Sequence, residues 1–198
     1  TPTWRFLTPE IGYIFMGTIN SKELTKMMGE LRLTKGIVID LRCYPSDFVV
    51  FSLSQYFNIK STPFAKFSNG SIQNPGMFTF GKPLSAPGMK SAYNGKVVIL
   101  VNEQTQSSAE YHAMAFRASQ IATVVGSTTA GADGNISPIT LPGGIVTNIS
   151  GIGVYYPDGT ETQRVGIVPD VVVTPTLRGF IEGRDEVLEK AVQIIEGK

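Results

Sequence analysis

Cysteine occurs once in the 198 residues, at Cys43, and histidine once, at His112. A single thiol excludes an internal disulfide and the paired spacing of a zinc ribbon or finger. A single imidazole argues against a histidine-rich metal centre, so neither a metal nor a cofactor is expected. Charge is also scarce. Charged residues make up 17% of the chain, and Lys+Arg 17 against Asp+Glu 16 leave a net charge of +1. So neutral a surface excludes a sequence-independent nucleic-acid binder. No apolar run approaches the ~20 residues that span a bilayer. No secretory leader is visible either, because the chain opens Thr1-Pro2-Thr3 rather than with Met and a basic segment. That opening raises the expectation of a processed chain with residues upstream. What is present is apolar: 42% of residues are hydrophobic, which rules out disorder and allows one domain with a substantial core.

The apolar residues fall into periodic segments. Gly12–Met16, Gly36–Leu41 and Lys96–Asn102 read as strands, the last two as Val/Ile runs without alternation, expected where both faces of a strand are covered. Between the first two, Leu24, Met27, Met28 and Leu31 share one helical face, with Ser21 as a cap. Glu110–Gln120 and Gly183–Gly197 carry further helical stripes, and Ala122–Gly126 a short strand. Residues 60–95 are rich in Gly and Pro and predict a long excursion with at most short strands. Residues 138–156 predict a hairpin turning at Pro142-Gly143-Gly144.

The chemistry-bearing segment is Val97–Phe116, a buried strand, a polar elbow and a helix. In parallel sheets sites gather at the carboxyl ends of strands. A serine at a helix N-terminus also sits beside unpaired backbone N–H groups able to hold an oxyanion. The same residues fit a plain capping box, Ser107 with Glu110. Nor is the Gly-x-Ser-x-Gly elbow matched. The local pattern alone leaves both readings open.

Five ordered blocks resemble the catalytic core of the carboxyl-terminal processing (tail-specific) serine peptidases, relatives of the tricorn core protease. These are Gly12-Tyr13-Ile14; Gly36-Ile37-Val38-Ile39-Asp40-Leu41-Arg42; Val98 to Glu110; Val125-Gly126-Ser127-Thr128-Thr129-Ala130-Gly131; and Tyr155-Tyr156-Pro157-Asp158-Gly159 with Gln163-Arg164-Val165-Gly166-Ile167-Val168-Pro169-Asp170. The resemblance implies one α/β domain over residues 1–198. It would be a crotonase/ClpP-like core with a parallel-rich sheet, flanking helices and a hairpin region, lacking an upstream PDZ-like part. It further implies Ser107 as nucleophile, backbone donors at Ser46 and Ser108, and a substrate groove touching Gly131 and Asp133. The peptide would bind as an extended strand, outside the cytoplasm.

Two positions depart from the family pattern. The usual lysine base falls on Ala132 and its glutamine partner on Ile136. The family's Asn-Pro-Gly-Gly loop reads Tyr44-Pro45-Ser46-Asp47. A serine needs a base within hydrogen-bond reach. His112, five residues on, lies roughly 140° around the helix from Ser107 and reads as a half-buried helix residue. Asp133 is too weak a base unless burial raises its pKa, and Asp133-Gly134 is also ordinary turn chemistry. By resemblance to the tricorn relatives, the base would be a histidine from an upstream segment, with Glu161 orienting it. Glu161 reads equally as a solvated strand charge. A peptide-binding homologue without catalysis is the alternative, and an acyl-CoA enzyme of crotonase type a more distant one. Phe64, Phe67, Phe78, Phe80 and Tyr93 are either groove lining or satellite core. Cys43 reads as a small buried residue.

Overall fold

The computed structural model describes residues 2–198. In chain order the strands and helices are β1 (Trp4–Thr8), β2 (Ile11–Phe15), α1 (Leu24–Leu31), β3 (Gly36–Asp40), α2 (Val50–Ser54), β4 (Thr62–Gly70), β5 (Phe78–Phe80), β6 (Leu84–Ala86), β7 (Lys96–Val101), α3 (Ser108–Arg117), β8 (Ala122–Gly126), β9 (Ile136–Thr140), β10 (Val146–Ser150), β11 (Val154–Tyr155), β12 (Val171–Val172), α4 (Leu177–Ile181) and α5 (Glu186–Glu196). The main sheet has the order β1-β2-β3-β7-β8-β12. Every pairing in it is parallel except β1 with β2. The result is the expected mixed α/β domain with a parallel-rich sheet.

The absence of alternation in β3 and β7 has a simple cause. Ile37, Ile39, Val97, Ile99 and Val101 enter a core beneath α1, α2 and α3. Val38, Val98 and Leu100 enter a second core on the opposite face, closed by Val187, Ala191 and Ile195 of α5. Each such side chain contributes about 1.5–3 kcal/mol on burial. A Cβ on Gly36 would lie 2.4 Å from Ile195 Cγ2, so α5 packs directly on the strand backbone there.

The Asp40-Leu41-Arg42 block is structural. The buried Asp40 carboxylate accepts from Tyr13 Oη (2.8 Å), Arg42 Nε (3.0 Å) and Arg42 Nη2 (2.7 Å). The same guanidinium donates to Asp185 at 2.7 and 2.8 Å. Because Asp185 caps α5 through the Leu188 N–H, the network fastens that helix to the end of β3.

Several expectations needed correction. Asn20 rather than Ser21 supplies the side-chain cap, accepting from Lys22 N–H at the head of a 3-10 turn over Ser21–Glu23 that leads into α1, while α1 itself starts after Glu23 without a side-chain cap. The 60–95 excursion contains β4, a nine-residue strand. β4 pairs with β6 near one end, and with β5 and β11 toward the other. Those partners are scattered along the chain, so no local periodicity announces the strand. β1 and α4 were likewise not anticipated. The hairpin is present as β9 and β10, starting two residues earlier than expected, and its side chains are exposed on both faces.

Candidate active site

Ser107 stands between β7 and α3 with φ 52° and ψ −118°. This is a left-handed conformation that a non-glycine residue adopts at a cost of about 1–3 kcal/mol. It survives because the surroundings over-determine it. Glu110, in the first turn of α3, is completely buried. Its Oε2 accepts from the backbone N–H of Ser107 and of Ala132, each at 2.9 Å. Its Oε1 accepts from Thr129 Oγ1 (2.5 Å) and Gly131 N–H (2.8 Å). One carboxylate therefore locks the serine turn to the 129–132 loop. The sequence showed only half of this, as a capping-box spacing.

The 131–134 loop is fixed from its other side as well. Arg164 N–H donates to the Gly131 carbonyl at 2.6 Å. Gln163 Nε2 donates to the carbonyls of Asp133 (2.8 Å) and Ile152 (2.9 Å). Gly131 has φ 66°, and a Cβ there would lie 3.0 Å from the backbone of Arg164 and Gly166. The loop passes too close to the 164–166 backbone for a side chain.

A cleft of about 700 Å³ opens in front of Ser107. Ser107, Ser108 and Tyr111 line one side, Tyr44 to Phe48 another, and Phe67, Ile152 and Asp133 to Asn135 complete it. Phe48 stacks on Tyr111 with ring centroids 6.2 Å apart. Of the aromatics singled out from sequence in residues 60–95, only Phe67 lines this cleft. Phe64 and Tyr93 are buried, and Phe78 and Phe80 are exposed away from it.

The structure brings Ser107, Ser108 and Asp133 to one cleft, together with Ser46. Ser108, at the first position of α3, has an N–H with no intrahelical acceptor, and it lines the cavity. Ser46 is otherwise engaged. Its N–H donates to the Met16 carbonyl at 3.1 Å and its Oγ to the Ile19 carbonyl at 2.6 Å. Of the two expected oxyanion donors, Ser108 is the one left free. Gly131 lies behind the cleft wall, on Glu110. Glu161 is exposed, pairs with Arg164 at 3.5 Å and does not line the cleft.

His112 points away from Ser107, as the helical wheel required, but is fully buried rather than half-buried. Its Nε2 accepts from Val49 N–H at 3.1 Å, which fixes the neutral tautomer with the proton on Nδ1. Nδ1 then donates to the Ser108 carbonyl at 2.6 Å. Burial pushes its pKa down to about 4. It is neither a base for Ser107 nor, with its Nδ1 proton committed to a carbonyl, one for Ser108. Its position joins the 44–49 loop to α3.

Asp133 is the titratable group facing the cleft from within. It is 5% exposed, and burial raises its pKa to about 7, with the charge of Glu110 adding to the rise and the Gly134 N–H opposing it. Oδ1 accepts from Gly134 N–H at 2.7 Å. Oδ2 is buried with no hydrogen-bond partner among the described residues. Burial pushes the Cys43 thiol up to about 11, so it is protonated and inert. No group of three or more His, Cys, Asp or Glu able to hold a metal occurs among the described residues.

The family model of peptidase family S41 matches residues 10–173. No match was found among curated proteins. Among solved structures, a Parabacteroides merdae protein described as a peptidase superposes with a TM-score of 0.84 at 22% identity, over 97% of this chain and 63% of that one. Mature CPAF complexed with lactacystin gives 0.74 at 14% identity, over 95% and 52%. The photosystem II D1 C-terminal processing protease gives 0.63 at 21% identity, over 84% and 43%. The chain spans less than two thirds of the length of each of these proteins.

Proposed function

The chain belongs to peptidase family S41, and we propose that it forms the core of a serine endopeptidase with Ser107 as nucleophile. The observation that carries this reading is the backbone of Ser107. A serine held in a left-handed conformation at a strand-to-helix turn, facing a cleft, is costly. A mere N-cap uses ordinary extended geometry and needs no such expense.

In the proposed reaction Ser107 Oγ attacks the peptide carbonyl. The Ser108 N–H and the N-terminal end of α3 stabilise the oxyanion. Ser46 joins them only if its N–H leaves the Met16 carbonyl. The peptide lies extended along the cleft, its side chains against Phe48, Phe67, Tyr111 and Ile152. Gly131 acts by holding that wall. The family resemblance supplies a base as a histidine from a segment preceding these residues, oriented by Glu161. The crotonase/ClpP-like assignment and a location in the cell envelope belong to the same proposal. A lipoprotein from Streptococcus agalactiae shares the fold (TM-score 0.60, 16% identity), and no helix among the described residues is long and apolar enough to cross a membrane.

A second reading, a peptide-binding homologue without catalysis, rests on one observation. Ser107 Oγ has no hydrogen bond to a titratable side chain among the described residues. One experiment separates the two. The protein at its native length is treated with a fluorophosphonate and assayed on peptides. The peptidase reading expects both labelling and turnover, each abolished by Ser107→Ala. A wild-type protein that neither labels nor cleaves rejects it in favour of the binding module.

A further inference from the structure

We propose that the cleft selects a large apolar side chain of the substrate, aromatic or branched aliphatic, beside the bond to be cut and rejects an acidic one there, with Phe48, Tyr111 and Asp47 setting the preference. The inference rests on the peptidase reading above and deepens it by naming the substrate class.

The apolar surface is built around Tyr111. Its N–H donates to the Ser107 carbonyl at 3.0 Å, so its side chain stands one helical turn along α3 from the serine, on the same face. The buried Phe64 backs that ring at a centroid distance of 5.0 Å, and Phe67 lies beside it at 6.0 Å. The floor is therefore fixed from behind. Phe48 meets it from the facing loop, its ring 17° from parallel to that of Tyr111 and 6.2 Å away. The edges of Phe51 and His112 place the Phe48 ring, with centroids at 6.2 and 5.5 Å. Unlike Phe64 and Tyr111, Phe48 is 56% exposed. A substrate side chain laid against it removes that apolar surface from water together with its own. The gain grows with the area covered, so large apolar side chains profit most.

Charge points the same way. The ionisable side chains lining the cleft are Asp47, Asp133, Tyr44 and Tyr111, and none of the described residues that line it is Lys, Arg or His. Asp47 accepts from Ser21 N–H at Oδ2 and from Phe48 N–H at Oδ1, each at 2.8 Å. Those bonds, the one from Ser21 first, hold its carboxyl below the usual carboxylate range, so it is charged at neutral pH next to Phe48. The positive end of α3 acts at the reacting carbonyl and on the Glu110 carboxylate, and its influence fades within the first turn. A substrate carboxylate in this cleft gives up water and meets no counter-charge. An apolar side chain pays neither penalty.

The test uses the native-length protein and internally quenched peptides with blocked ends, alike except for Phe, Leu, Ala, Gln or Glu placed in turn on each side of the scissile bond. On one side, kcat/KM for Phe and Leu should exceed that for Ala at least ~10-fold. There Gln should exceed Glu at least ~3-fold at low salt, the gap closing as salt screens Asp47. Phe48→Ala removes an exposed ring, so no core cavity confuses the result. It should bring the Phe-to-Ala ratio below ~3-fold, whereas Phe48→Leu and Tyr111→Phe should keep most of it. Asp47→Asn should erase the difference between Gln and Glu. A Phe-to-Ala ratio near unity on both sides, or one that Phe48→Ala leaves unmoved, overturns the inference and leaves the peptidase reading standing. Glu cut as fast as Gln at low salt overturns it as well. A protein that cleaves none of the peptides and resists a fluorophosphonate overturns the peptidase reading instead. Equilibrium binding of the same peptides to Ser107→Ala then decides the selectivity: the same order of preference upholds it, and equal binding of all five overturns it too.

Discussion

The two walls of the cleft are built on different principles. The Ser107 wall hangs on one buried carboxylate, Glu110, which collects four donors from the serine turn and the 129–132 loop. The facing loop, Tyr44 to Phe48, is held mainly by polar contacts near the surface. Ser46 donates to Met16 and Ile19, and Ser21 N–H donates to Asp47 Oδ2 at 2.8 Å. Among the described residues its one buried side-chain hydrogen bond is at its end, Val49 N–H on His112. Hydrogen bonds shielded from water are worth more, and cost more when orphaned, than those that water can replace. The difference teaches that the first wall is held rigid from inside, as the proposed chemistry would require, whereas the second, held by contacts that water can replace, has room to adjust.

Removing Glu110 should break the comparison most completely. Glu110→Gln offers an NH2 where two backbone N–H groups need an acceptor. At about 1–3 kcal/mol per unsatisfied buried donor, the loss is about 3 kcal/mol or more. Urea unfolding measures it, and fluorophosphonate labelling of Ser107 should fall with it. A loss below about 1 kcal/mol would mean that the Ser107 wall does not depend on this carboxylate.

His112 tests whether the facing loop has a buried anchor. In the unfolded chain its pKa is near 6.5, and in the folded protein burial holds it down to about 4. The unfolded state therefore binds the proton first, and stability falls as pH drops from about 6.5 to about 4, by about 3 kcal/mol in total. His112→Gln should cost about 2 kcal/mol at neutral pH by unpairing either Val49 N–H or the Ser108 carbonyl. It should also flatten the acid limb. Asp133 works in the opposite sense, because a raised carboxyl loses stability as pH rises from about 4 to about 7. An acid limb equally steep in His112→Gln and wild type would assign it to another group.

Ser46→Ala probes the wet contacts of the same loop. It removes only the Oγ bond to the Ile19 carbonyl and keeps the backbone N–H on Met16. The expected loss is about 1 kcal/mol, with Ser107 labelling changed less than about twofold. A tenfold loss of labelling would show that this wall too is pre-organised.

How much of this could be read from sequence follows the range of the interactions. The Val/Ile runs of β3 and β7 announced a sheet covered on both faces, because both cores are fed by one strand's alternation. The spacing of Ser107 and Glu110 announced a helix start. That Glu110 also gathers Thr129, Gly131 and Ala132 was hidden, since a capping box uses only one of its oxygens. The burial of Asp133 was hidden too. Asp-Gly reads as a surface turn, and only Gln163 thirty residues later, with β11 and β4 behind it, carries the loop inward. β4 was missed for the same reason: its partners β5, β6 and β11 are assembled by tertiary contact.

The smallest expected effect bears on the serine itself. Ser107→Gly removes the proposed nucleophile but also the Cβ that makes φ 52° unfavourable. Relief of about 1–3 kcal/mol is offset by the greater freedom of glycine in the unfolded chain, about 0.5–1 kcal/mol. Both variants lose the acceptor that Ser107 Oγ offers the Glu110 N–H in the capping box, about 1 kcal/mol. The expectation is therefore that Ser107→Gly is about 1 kcal/mol more stable than Ser107→Ala, which keeps the Cβ. Paired melts of the two variants isolate the backbone from the hydroxyl. If glycine melts no higher than alanine, Ser107 stores no strain, and the contrast between a rigid, costly wall and a pliant one loses its sharpest point.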